Sequence, residues 1–461
     1  MNKIIIKNKT INSIIFVISF SMIIRLLSLL NRIILNRMLG ADGVALYTIS
    51  IPSIMLFVSL GSISLNTSIN QIVAQNKDSF DKKLLKEALS IAIIAASVSS
   101  LLLLVILKPL SYNWLKTKDA FFPILSAIPL IYLSSINSVL RGIYNGLSKV
   151  KLSQLSIFIE QIFRILFQIL LLLVSTIITK SVTYAILSMS LGEIASIIYL
   201  ITKLRKTNKH KTNNIYAKDI LHLSMPLTLT HLSSSLSSFL EPIIFTFIFT
   251  KLSYSSDIIR SSYSEISAYI LPTIAMFLFI SASISPILIQ KVIYYNTNNK
   301  KELLMKMIEK IIFIILLSSI LILTILYFYI EDLIYILYDY KIEENLIKKY
   351  IFLFIFVYIE SPLIAIMQGL QENKKIFKII TISSTLKLLL ILIIPYMFSI
   401  GPKDTIIISY LSSYTLVSCI IYVNIRKKLG FKFPLKYLVY LIIFTFFIFS
   451  LLTFLNLLFL K

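Results

Sequence analysis

Met22–Arg37, MIIRLLSLLNRIILNR, is an apolar run long enough to belong to a membrane span, yet it carries three arginines. A guanidinium at the centre of a bilayer costs about 2.5 to 17 kcal/mol, depending on the reference state. Arg25 and Arg32 lie inside the run, while Arg37 lies at its end and can snorkel to the interface. Ser21, Arg25, Ser28 and Arg32 are spaced four, three and four. On a helix they fall within about 60° of one another. The expectation is a spanning helix with one polar stripe, turned toward a watery cavity or polar partners.

The rest of the chain supports a membrane reading. Of 461 residues, 57% are hydrophobic and 14% charged. A soluble protein carries about 25% charged residues. Apolar runs of spanning length recur throughout, and the backbone in lipid must bond internally, so helices are expected rather than strands. A closed barrel is excluded by the absence of short alternating segments. Thirteen helices are expected, from 11–35 and 44–75 at one end to 435–460 at the other. The single cysteine, Cys419, makes no disulfide and no cysteine metal site. It reads as a small buried hydrophobe.

The formal net charge is +24. In a soluble protein this suggests nucleic acid, but most Lys and Arg here fall in short loops on one side of the spans. That bias sets orientation and places the N-terminus and the basic loops in the cytoplasm. The apolar N-terminal segment has no small-residue cleavage site and reads as a retained first span. No nucleic-acid partner is expected. The partners expected are the bilayer and its anionic headgroups.

A basic linker, 204–218, divides the chain into an N-lobe of six helices (1–203) and a C-lobe of six (219–425). A basic loop and an extra helix follow (426–461). An internal repeat supports the division. SLLNRIIL at 28–35 is echoed by SFLEPIIF at 238–245, Pro52 by Pro272, and VLRGIYNG at 139–146 by IMQGLQEN at 366–373. Six helices per lobe make the repeat parallel, with a pseudo-twofold along the membrane normal and a path between the halves. The expected class is therefore an all-α polytopic membrane protein.

Two further helices carry polar residues at helical spacing. In 150–178, Gln154, Gln161, Arg164 and Gln168 share a face, and Glu160 precedes Arg164 by four, which permits an ion pair. The pair either neutralises itself or lines the cavity wall, and the two readings are compatible. In 219–250, Thr230, Ser234, Ser238 and Glu241 recur at helical spacing. Glu241 is a candidate for binding a proton or coupling cation, or for pairing with an arginine. Arg141, Glu193, Glu360 and Lys387 read more simply as structural pairs or anchors. His222 and His231 are nine apart, which does not make a helical zinc pair. Glycine is too scarce for a phosphate-binding loop, so no nucleotide and no cofactor is expected.

RLLSLLNRIILNRMLGADGVALYTISIP and LRGIYNGLSKVKLSQLSIFIEQIFRI resemble the stage V sporulation protein B group of the multidrug/oligosaccharidyl-lipid/polysaccharide flippase superfamily. LPTIAMFLFISASISPILI and MQGLQENKKIFKII fit the matching second-half segments. The resemblance runs from about residue 11 to 425. It implies two six-helix lobes, alternating access in a bacterial cytoplasmic membrane, and a polyprenyl-linked saccharide as substrate, a peptidoglycan precursor for cell wall or spore cortex. It also implies a fourteenth helix that is not found here, and an aspartate where Glu241 stands.

Such a substrate carries a pyrophosphate, and arginine binds phosphate through paired hydrogen bonds. The site expected is Arg25, Arg32 and Arg164, with Glu160 positioning Arg164 and with Ser28 and Gln161 toward the sugars. Glu241 is the candidate for coupling to an ion gradient or to the membrane potential. Cell-wall synthesis enzymes are possible partners. The rivals are a cation-coupled drug extruder, a glycan polymerase and a non-transporting scaffold.

Overall fold

The structure is a computed structural model. It describes residues 2–75, 80–147, 149–175, 177–204, 209–210, 217–342, 346–431 and 433–459. Most of the 204–218 linker lies outside the described residues.

Helices dominate. In chain order they are α1 (Asn2–Ser62), α2 (Leu65–Gln75), α3 (Lys82–Pro109), α4 (Phe121–Leu125), α5 (Ile128–Gly146), α6 (Val150–Val174), α7 (Ile178–Leu204) and α8 (Ala217–Lys251). They continue as α9 (Ser256–Ser264), α10 (Leu271–Ala275), α11 (Phe279–Thr297), α12 (Lys301–Tyr338), α13 (Ile355–Gly369), α14 (Asn373–Phe398), α15 (Pro402–Leu429) and α16 (Leu435–Phe459). Two short strands, β1 (Phe80–Asp81) and β2 (Lys209–His210), pair in parallel between loops. Among the described residues, ten helical stretches are long and apolar enough to cross a bilayer.

The expected first and second helices meet at Gly40. Its φ of 66° and ψ of 176° break the helical run within α1. Only glycine adopts that region without strain. Pro52, by contrast, is carried inside the helix. The second-half proline behaves differently. Around Pro272 the expected helix 260–293 passes through a wide π-helical turn (Glu265–Ile270), then α10, then a tight 3₁₀ turn (Met276–Leu278), before α11. Proline lacks the N–H that an uninterrupted ladder needs.

The chain forms two compact units, Met1–Ser264 and Glu265–Lys461. The sequence halves divide at the linker, whereas compactness divides the chain later, because α8 packs on α1, α2 and α3 and α9 packs on α1. In the first unit, Ile69 and Val73 of α2 pack with Ala88 and Ala92 of α3, Ile143 of α5 and Leu200 of α7. In the second, Val292 of α11 packs with Leu304 of α12, Ile366 of α13 and Ile421 of α15. Apolar residues also remain on the outside of both units: Val105, Leu173 and Phe446 are more than two-thirds exposed. In a bilayer such residues meet lipid tails, so their exposure carries no hydrophobic penalty.

Candidate functional site

The polar residues of the first unit gather where α5, α6 and α7 pack. The close approach starts at Gly192 of α7: a Cβ there would lie 2.8 Å from the Glu160 carbonyl oxygen. The backbones of α6 and α7 therefore meet without a side chain between them. The next residue, Glu193, is thereby brought to the cluster.

Glu160 sits at the centre, 5% exposed. Arg164, one turn on, donates from Nη2 to Glu160 Oε1 at 2.9 Å. Arg141 of α5 donates from Nη2 to Glu160 Oε2 at 2.6 Å. The same nitrogen donates to Ser196 Oγ at 3.0 Å, and Arg141 Nε donates to Ser156 Oγ at 3.1 Å. Asn137, one turn before Arg141, donates from Nδ2 to Glu193 Oε2 and, at 2.9 Å, to Ser196 Oγ. Taking two ions out of water costs several kcal/mol each. A carboxylate that accepts from a guanidinium on each oxygen recovers much of that cost through charge-assisted bonds.

Three buried polar atoms beside this node have no partner among the described residues: Arg164 Nε, Gln161 Oε1 and Asn31 Oδ1. Asn31 and Arg32 bring α1 to the same place. Gln168 Nε2 approaches the Asn31 carbonyl at 3.4 Å. Phe20 of α1 meets Phe158 of α6 at 5.2 Å between ring centroids. Tyr47 lies close enough to Arg32 and Arg164 to feel both charges.

The expected site residues thus fall into two groups. Glu160, Gln161 and Arg164 are together, with Arg32 half-buried nearby. Arg25 and Ser28 are exposed farther along α1. The Ser28 hydroxyl donates to the carbonyl of Ile24 at 2.9 Å, a bond within its own helix. Met22, Ile23, Leu26 and Leu30 are exposed as well, so this part of α1 is open around much of its circumference. Arg25 has no ion-pair partner among the described residues. Glu241 stands apart on α8: it is 1% exposed and accepts a hydrogen bond from Tyr263 at 3.1 Å. The side chains of Ser21, Thr230 and His231 lie outside the described residues.

Arg141 reads from sequence as an anchor or a structural pair, and the structure shows a structural pair with Glu160. Glu193 has the same sequence reading, and the structure pairs it with Asn137; Asn137 and Ser196 do not stand out in the sequence reading. The usable signal is polar pairs at helical spacing inside apolar spans: Asn137 with Arg141, and Glu193 with Ser196.

All of these residues lie within one matched segment. The polysaccharide biosynthesis protein family matches residues 11–252. The chain belongs to that family. A family relative, stage V sporulation protein B of Bacillus subtilis (strain 168), is 23% identical over 372 residues, covering 77% of this chain and 71% of the relative. Two solved structures share the fold. A multidrug-resistance MATE transporter of the MOP superfamily, in an inward-facing conformation, superposes with a TM-score of 0.67 at 14% identity, covering 89% of this chain and 98% of its own. The lipid II flippase MurJ, inward closed, gives 0.63 at 15% identity, covering 96% of this chain and all of its own. The chain is thus a multi-pass helical membrane protein that shares its fold with these two solved structures, as the sequence leads one to expect.

Proposed function

We propose that this chain is a flippase. It carries a polyprenyl-pyrophosphate-linked saccharide, such as the peptidoglycan precursor lipid II, across the bacterial cytoplasmic membrane by alternating access. The observation that supports this most is the charge balance among α1, α5, α6 and α7. Five guanidinium groups (Arg25, Arg32, Arg37, Arg141 and Arg164) stand in these helices against three carboxylates, Asp42, Glu160 and Glu193. Glu160 is taken up by Arg141 and Arg164. Arg25, exposed and without an ion-pair partner among the described residues, is the cation proposed to meet an anionic headgroup first, and Arg32, half-buried near Glu160 and Arg164, is proposed to line the same path. Membership of a polysaccharide biosynthesis family favours a saccharide over a drug cation. So does the excess of cations, since a cationic drug calls for acids.

In this reading Glu160 is a positioning residue. It holds Arg164 in place and keeps the local charge low enough for the helix to fold in the membrane. Glu241 is the proposed coupling carboxylate, because a buried acid in a span is suited to bind a proton or a cation. The orientation proposed puts the N-terminus and the basic loops in the cytoplasm. Cell-wall synthesis enzymes are proposed partners.

The test is flipping of defined lipid-linked substrates in proteoliposomes. R25A and R32A should each abolish or strongly slow lipid II translocation while the protein still inserts and folds. Undiminished flipping by both variants would remove the arginine mechanism. Proton-driven export of a cationic dye without lipid II flipping would support the extruder instead.

A further inference from the structure

Three turns of the second unit converge at one end. The turn after Gly369 of α13 lies against α11: a Cβ on Gly369 would fall 2.6 Å from Val292 Cβ and 3.0 Å from the Ile289 carbonyl oxygen. Lys428, near the end of α15, reaches the same turn, donating to the Leu370 carbonyl at 3.0 Å and to Glu372 Oε1 at 2.6 Å. Val292, Leu304, Leu370, Ile376, Leu429 and Phe431 share one core beneath them. The turns α11–α12, α13–α14 and α15–α16 are thus one surface.

That surface is strongly basic. The first turn exposes Lys300 and Lys301. The second exposes Lys374, Lys375 and Lys378, and the third Arg426, Lys427 and Lys428, with Lys436 just beyond. Glu372 is engaged by Lys428 and by Lys375, the latter at 3.2 Å. Lys301, Lys374, Lys378, Arg426 and Lys427 have no ion-pair partner among the described residues. The far end of the same unit differs: Lys348 pairs with Glu331 at 3.1 Å and Lys403 with Glu265 at 2.9 Å. Like charges are therefore concentrated at one end and matched at the other.

The turns are short, so the cations stand within about one helical turn of the span ends, at headgroup depth rather than out in solution. Exposed Tyr294, Leu303, Phe377 and Tyr440 accompany them. Aromatic and aliphatic side chains under a cationic rim suit the boundary between headgroups and tails.

We infer that this end of the second unit is a binding surface for anionic phospholipid headgroups of the adjoining leaflet. Several unmatched cations draw the lipid phosphates together. The lipids in turn relieve the repulsion among the three turns and so tie α11–α16 to one another. A positive-inside bias alone orients the chain but calls for no particular lipid.

The test uses the purified full chain in detergent, titrated with phosphatidylglycerol or phosphatidylcholine while its thermal unfolding is followed. Phosphatidylglycerol should raise the midpoint at concentrations about tenfold below those needed for phosphatidylcholine. The K374Q/K427Q variant should lose that preference. K374R/K427R should keep it, and so should K341Q/K349Q at the opposite end. If K374Q/K427Q does not fold, the single variants are each compared with their Arg counterparts. Equal response to both lipids, or an unchanged preference in K374Q/K427Q, overturns the inference. So does stabilisation by a soluble polyanion such as heparin with none by phosphatidylglycerol, which would assign the face to a partner in solution.

Discussion

Glu160 Oε2 lies 2.6 Å from Arg141 Nη2, although nineteen positions separate the two residues in the chain. The other oxygen of Glu160 is held by Arg164, four positions on. One buried carboxylate thus joins two helices and one helical turn.

Removing that carboxylate leaves two guanidinium groups in a buried place. E160Q is expected to destabilise the protein by about 3 to 5 kcal/mol. The E160Q/R141Q double variant should lose less than the sum of its single changes, because the pair is coupled. Unfolding midpoints of the four proteins in one detergent measure this. Additive losses would show that the contact contributes nothing of its own.

Two glycines of the echoed segments mark close helix contacts. A Cβ on Gly142 would lie 2.9 Å from the Asn66 carbonyl oxygen, and one on Gly369 would lie 2.6 Å from Val292 Cβ. G142A and G369A should each cost about 1 to 3 kcal/mol, because backbone must shift to admit a methyl group. Gly401 is the control: nothing lies within 4 Å of its Cβ and its φ is −67°. G401A should be neutral or slightly stabilising, by about 0.4 to 1 kcal/mol.

Gly40 tests backbone strain without crowding. Its Cβ would meet nothing within 4 Å, yet its φ is 66°. G40A is expected to cost about 1 to 3 kcal/mol from conformation alone. It should also alter α1 on both sides of the kink, which labelling of single cysteines at either side would detect.

Glu372 sets a pH dependence. Hydrogen bonds from Lys428 and Lys375 hold its carboxyl below the usual value of 4.5. A depressed value in the folded state means the stabilisation is fully present above 4.5 and is lost as pH falls through the lower, folded value. E372Q should therefore be less stable than the unaltered chain at pH 7, and the difference should close as the pH falls below 4.5 and through the lowered folded value. A constant difference across that range would show that the ion pair is not its source.

Transport gives the functional prediction. R25A and R32A should each lower the initial rate of lipid II flipping by about tenfold or more, since a charged hydrogen bond to phosphate contributes about 1.5 to 3 kcal/mol. E241Q should flip at a rate that no longer responds to an imposed ion gradient. Counterflow in proteoliposomes, with and without the gradient, measures both.

The echo between 139–146 and 366–373 has a physical cause that sequence only hints at. Gly142 packs on α2 and Gly369 on α11, the matching neighbours in the two halves. Eighteen residues after Gly142 stands Glu160, and eighteen after Gly369 stands Lys387, buried with its ammonium 4.5 Å from the Tyr410 ring. Fourteen residues after each glycine stands a buried serine, Ser156 or Ser383. The scaffold is kept, but the charge at its centre is reversed.

By itself the sequence determined that this chain is a bundle of membrane helices, where most of them run, and that Glu160 pairs with Arg164. Composition, run length and helical spacing are local properties, and in lipid the backbone has few alternatives to a helix. Only the tertiary structure decided that Arg141, Asn137 and Glu193 join that pair, that Arg25 stands apart from it, and that the helical run expected over 260–293 changes pitch around Pro272. Those outcomes depend on which helices approach closely and at what height, and that is set by contacts such as Gly192 against Glu160, between residues far apart along the chain.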